Sequence, residues 1–165
     1  MPLRRRHGDP APTSPRAVLL VPLGVRASAQ AVRQAASLAD GSPVAVLGLL
    51  KIHGYSFGMP NPGLMPTAKE REAQLELVSD AISRLERLGC DADGQVAATR
   101  HPIRAITSVA KRRGVVHVVI DQPTVSRLRR SLEGDVAAGV RRRVGPATEV
   151  TVTESAAMRA VRPAN

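Results

Sequence analysis

The residues with the clearest chemical potential lie between positions 115 and 144. Val115-Val116-His117-Val118-Val119-Ile120-Asp121 is an aliphatic run that ends in a carboxylate. Thr124, Arg127, Arg129 and Arg130 follow, then Gly134-Asp135 ahead of a helical pattern. In an open α/β sheet, the loop after a central strand delivers its ligand to the N-terminus of the next helix, where backbone N–H groups and the helix dipole attract anions. Guanidinium groups add forked donors suited to phosphate. The chemistry on offer is therefore anion binding, with Arg127, Arg129, Arg130, Arg141, Arg142 and Arg143 as the cationic groups. Asp121 and Asp135 oppose it, because like charge in a partly desolvated site is costly. Asp135 also stands where a helix N-cap belongs, and a carboxylate there takes the position an external anion would use.

Other chemistries lack their residues. There is no HExxH, no complete phosphate loop and no defensible Ser/His/Asp arrangement. The single cysteine, Cys90, excludes an internal disulfide, and no Cys/His spacing suits zinc. Cys90 follows Gly89 in a turn with no cation adjacent in sequence. His117, in mid-strand, reads as a core or sheet-face residue, and His101, ahead of Pro102, as a helix start. His53 and Tyr55 fall in a long loop. The reading is of a protein that is not an enzyme.

The elements that position these residues follow from composition and periodicity. The chain has 165 residues, 43% of them apolar, with one Phe, one Tyr and no Trp. Its core must be aliphatic, which suits a parallel sheet covered by helices. The scarcity of aromatics also removes the stacking platforms used to bind single-stranded nucleic acid. Formal net charge is +10, and all but three of the 24 basic residues are Arg. That balance attracts polyanions and acidic partners, although genomic base composition alone can enrich Arg.

Residues 1–15 are rich in Pro and Arg without periodicity and read as a disordered basic arm. Arg4-Arg5-Arg6, the apolar run Ala17–Val25 and Ala27-Ser28-Ala29 together imitate a secretory signal. Arg26 interrupts the approach to such a cleavage site, and cleavage would delete the first core strand, so a cytoplasmic location is expected. No run reaches the roughly 20 apolar residues of a membrane span. Strands are expected at 17–23, 43–52, 95–99, 115–120 and 149–153. The first is even in hydrophobicity and so buried on both faces; the last alternates, as an edge strand does. Helices are expected at 28–39, from Thr67 to Gly89, from Pro102 to Arg113, and at 135–143. The second opens with the capping box Thr67-Ala68-Lys69-Glu70, and its buried stripe is Leu75, Val78, Ile82, Leu85 and Leu88. Residues 53–66 form a loop long enough for a lid or a partner contact. Strand and helix alternate throughout, which means α/β architecture: a five-stranded, mostly parallel sheet with helices on both faces over residues 16–154, and a disordered tail at 155–165.

With this element order and two local stretches, residues 16–154 resemble the universal stress protein family, a small α/β sandwich related to the adenine-nucleotide α-hydrolases. The first stretch, Val18 to Ser28, is similar to the family opening, an aliphatic strand that ends in Asp-Gly-Ser. Gly24 takes the place of that Asp and Arg26 that of the Ser. The second is the loop already described. Nucleotide-binding members carry G-x2-G-x9-G-[S/T], whose glycines let backbone N–H groups approach the phosphates. Counted back from Gly134, the spacing lands on Asp121 and Thr124, and Asp135 takes the Ser/Thr place. The resemblance thus implies nucleotide positions at Pro22, Gly24, Ile52, Asp121, Thr124, Gly134 and Asp135, and ATP or AMP as the family ligand. The replacements imply that ATP binding by this mode is lost and that no cofactor is needed.

Strand 149–153 is similar in place to the family's dimerisation strand, so a homodimer is expected, or a heterodimer with a nucleotide-binding paralogue. Two function classes follow. One is a nucleotide-independent regulatory or interaction module. The other is a polyanion binder directed at RNA, the ribosome or an acidic protein, because residues 100–143 hold eleven Arg or Lys against three acids. An ATP- or AMP-binding stress protein is the third alternative.

Overall fold

The computed structural model describes residues 18–52, 65–124 and 134–155. The expected arm at 1–15, His53, Tyr55, most of the 53–66 loop, Arg127, Arg129, Arg130 and the tail beyond 155 lie outside the described residues. Five strands alternate with four helices: β1 (Val18–Pro22), α1 (Ala29–Ala39), β2 (Val44–Lys51), α2 (Ala68–Arg87), β3 (Ala92–Thr99), α3 (Pro102–Arg113), β4 (His117–Pro123), α4 (Val136–Val144) and β5 (Glu149–Ser155). The sheet order is β3-β2-β1-β4-β5, and every neighbouring pair is parallel.

The alternating side-chain directions of β1 split the core in two. Val18 and Leu20 point to one side, packing with Val32 and Ala35 of α1 and with Val78 and Leu85 of α2. Leu19 and Val21 point to the other, packing with Ile106 and Val109 of α3 and Val140 of α4. Both faces of β1 are buried, as its even hydrophobicity predicts. β3 and β5 form the two edges. The partial exposure of β3 matches the weak apolar content of its sequence.

Helix ends follow their local chemistry. Ser28 caps α1, its Oγ accepting from Ala31 N–H at 3.0 Å. At Thr67 both arms of the capping box are made. Pro102 opens α3, Gly114 closes it in a left-handed conformation, and Asp135 caps α4.

Three boundaries or faces differ from the sequence reading. Strand β4 starts at His117 rather than Val115 and runs through Asp121 to Pro123. Val115 is buried but belongs to the helix exit, where its N–H donates to Ala110 O at 3.1 Å. Strand β3 starts at Ala92, three residues early, since its register with β2 runs unbroken from Val44↔Ala92 to Lys51↔Thr99. On α2 the buried stripe is Leu77, Val78, Ala81 and Leu85, while Leu75 and Leu88 are about half exposed. At about 100° per residue Leu75 lies well off the Leu77–Leu85 row, and Leu88 is the C-cap, where the helix has ended.

Candidate functional site

The sheet order reverses between β1 and β4, since the chain steps from β1 outward to β2 and β3 and then returns to β4 and β5. Ligands of open α/β sheets occupy the crevice at the carboxyl ends of strands flanking such a point. Here the floor of that crevice is the register pair Pro22↔Asp121. Leu23 N–H closes it by donating to Asp121 O at 2.9 Å.

Asp121 is 1% exposed. Ser28 N–H donates to Oδ2 at 2.7 Å and Ser28 Oγ to Oδ1 at 2.9 Å. Thr153 Oγ1 donates to Oδ1 at 2.8 Å. One carboxylate thus joins β4, the N-terminus of α1 and β5. Asp121 is thus a buried carboxyl group seated against the N-terminus of α1, a position that favours negative charge. Sequence reading gave neither Ser28 nor Thr153 a role as a partner of Asp121.

The β1–α1 turn is clamped from its other side by α2. Arg26 Nε and Nη2 each donate to the Asp80 carboxylate at 3.1 Å, Arg84 Nη1 reaches Asp80 at 3.4 Å, and Arg84 Nη1 also donates to Ala27 O at 2.6 Å. The hydrogen bonds from Arg26, with its charge and that of Arg84, hold the Asp80 carboxyl below the usual aspartate range, against the opposing effect of burial.

The other expected positions are distributed as follows. Pro22 lines a cavity of about 330 Å³ between the ends of β1 and β2 and the start of α2, with Leu50, Lys51, Glu70 and Gln74 among its walls. Gln74 Oε1 is buried and has no hydrogen-bond partner among the described residues. Ile52 lies just beyond β2 and is tied to β3 by its N–H to Thr99 O at 3.0 Å. A Cβ on Gly24 would meet only Arg26 O at 3.7 Å, so space does not demand glycine there. Thr124 is exposed just past β4. Gly134 has φ +80, which gives it a backbone reason to be glycine independent of any ligand. Asp135 Oδ1 accepts from Ala138 N–H at 3.0 Å, so this carboxylate too serves its own helix.

Of the expected arginine cluster, Arg127, Arg129 and Arg130 lie outside the described residues, and Arg141, Arg142 and Arg143 each have different surroundings. Arg141 Nη2 donates to Val150 O at 3.1 Å, and Arg142 Nε turns to Ala138 O at 3.4 Å. Arg143 instead lines a second cavity, of about 360 Å³, with Arg100, His101, Pro102, Ile103 and Arg104 at the start of α3. Arg100 and Arg104 had not been singled out as site residues. His117 sits at the start of β4 with Nδ1 3.5 Å from Glu149 Oε2, within the sheet rather than at the crevice. Among the described residues, no group of three or more His, Cys, Asp or Glu could hold a metal ion.

No family model matches the sequence, and a comparison with curated protein sequences finds no match. Solved structures do match the architecture. A universal stress protein from Archaeoglobus fulgidus in complex with dAMP is 20% identical with a TM-score of 0.59, over 84% of this chain and 98% of that one. The protein UspA from Lactobacillus plantarum is 18% identical with a TM-score of 0.58, over 84% and 98%. The chain has the universal stress protein fold. A universal stress protein in complex with cAMP aligns as well, at 19% identity and a TM-score of 0.59, over 86% and 98%. The universal stress protein fold accounts for the reversal between β1 and β4 and for the two helices on each face. Among the described helices, none is long and apolar enough to cross a membrane.

Proposed function

We propose that this chain is a non-catalytic regulatory or interaction module with the universal stress protein fold, paired through β5, in which nucleotide binding by the family mode is lost. Structural relatives include complexes with dAMP and with cAMP, so the question turns on the crevice. The observation that carries the reading is the Asp121 carboxylate, buried and bonded to Ser28 N–H, Ser28 Oγ and Thr153 Oγ1. A phosphate brought to this end of β4 would meet a negative charge, with the adjacent N–H of α1 already engaged. Displacing the carboxylate would break these three hydrogen bonds, at a cost of about 1–3 kcal/mol for each buried group left unsatisfied. Asp135 repeats the arrangement at α4, where the carboxylate is the cap.

Pairing through β5 draws support from its position at the sheet edge. β5 pairs with β4 on one side only, so the backbone groups of its outer side, apart from the Val150 carbonyl held by Arg141, are open to a second strand. Calorimetric titration with ATP and with AMP tests the nucleotide claim. The expected result is no saturable heat at millimolar nucleotide, and micromolar binding of either would overturn it.

A further inference from the structure

The four helices divide their charge by face. Helices α1 and α2 carry five basic and five acidic residues. Helices α3 and α4, together on the opposite face, carry four and three basic residues and no acidic one. A genome-wide bias toward arginine codons would load both faces alike. The helix dipole explains cations in the last turns of α3 and α4. It does not explain the absence of acids, and it runs against Arg104, which sits in the first turn of α3, at the positive end of the helix. His101 gives that end no side-chain cap. A cation kept where the dipole disfavours it points to an external anion.

The geometry agrees. Arg104 and Arg143 come from different helices, are exposed and line one cavity with Arg100. The helices approach closely because α4 has Gly139 at the crossing, where a Cβ would collide with Ile103 Cδ1. Among the described ion pairs none involves Arg104 or Arg143. Lys111, Arg112 and Arg142 of the same two helices are exposed as well.

We propose that the α3/α4 face binds the phosphate backbone of a nucleic-acid duplex, with one phosphate seated between Arg104 and Arg143. Several separated cations across two helices fit a ladder of phosphates better than one small anion. The described residues contain no Phe, Tyr or Trp, and the cavity's single imidazole, His101, offers one ring rather than a row of stacking platforms, so the backbone of a duplex is the better matching partner. This assignment does not depend on the closure of the β1–β4 crevice.

The test is fluorescence anisotropy of labelled duplex RNA and duplex DNA with the full chain between about 50 and about 200 mM salt. The expected result is binding at low salt that weakens steeply as salt rises; the RNA and DNA arms identify which duplex is preferred. The double variant Arg104→Glu/Arg143→Glu should weaken binding by about tenfold or more and flatten the salt slope by about two. Arg33→Glu/Arg71→Glu makes the same charge change on the other face and should stay within about twofold of the parent. Arg104→Lys/Arg143→Lys should retain binding. Arg104→Glu alone should not lower the thermal midpoint, because it places an anion at the positive end of α3. Absence of binding at low salt, affinity unmoved by salt, equal losses in the two charge-reversed pairs, or competition by polyglutamate as effective as by unlabelled duplex would each overturn the assignment.

Discussion

At the scale of single residues, Asp121 is the position where chemistry and architecture meet. Its carboxylate takes two bonds from Ser28 and one from Thr153 while 1% exposed. Thr153→Val keeps the shape and removes one donor, and it should cost about 1–2 kcal/mol in urea unfolding. Asp121→Ala leaves the donors of Ser28 and Thr153 without their acceptor in a largely buried site, and should cost about 3 kcal/mol. The double variant should cost less than the sum, because the two residues share one bond. Asp80 provides a pH signature. Its carboxyl is held low by Arg26 first and by Arg84 second. A depressed folded-state pKa means stability that is present above the ordinary aspartate pKa and lost as pH falls through the folded value. Arg26→Ala should therefore move the Asp80 titration upward, read by carboxyl carbon NMR, and reduce the loss of stability on acidification. The pair is largely exposed, so the stability change will be small and will fade with salt.

At the scale of elements, sequence carried the helix and strand order because each element declares itself locally. The Thr67–Glu70 box predicted a helix start and forms one, with Glu70 N–H to Thr67 Oγ1 at 3.2 Å and Thr67 N–H to Glu70 Oε2 at 2.7 Å. Thr67→Ala should cost about 1 kcal/mol of stability. Less local features were illegible. Leu75 looks apolar at helical spacing, yet only the packing of Leu77 and Ala81 on the sheet decides which row is buried. Val115 reads as strand because its residue type suits one, but the turn that closes α3 captures its N–H first. The seam between α3 and α4 offers a sharper test. Gly139→Ala pushes a methyl into Ile103 and should cost about 1–3 kcal/mol, and pairing it with Ile103→Ala should recover part of that loss.

At the scale of the whole molecule, the edge position of β5 predicts a dimer. Light scattering after gel filtration should give twice the chain mass, and Thr151→Lys, which puts a charge on the edge strand, should give the monomer with its fold intact by circular dichroism. The candidate site was legible in part. The motif count identified Asp121, Thr124 and Asp135 as replacements, because spacing is a one-dimensional property. The partners of Asp121 were not legible, because Ser28 lies 93 positions away and Thr153 lies 32, and only the order β1-β4-β5 brings them together. The same node has a consequence for how the chain is made. During synthesis β5 is the last of the five strands to emerge, and until it docks β4 is a bare sheet edge and Asp121 waits for its third donor. Parallel pairing between distant segments is slow, so the nascent chain passes through a state in which its first turn is only partly tethered and a flat strand is open to neighbours. Docking of β5 therefore completes the Asp121 hydrogen bonds and covers the edge of β4 in one step.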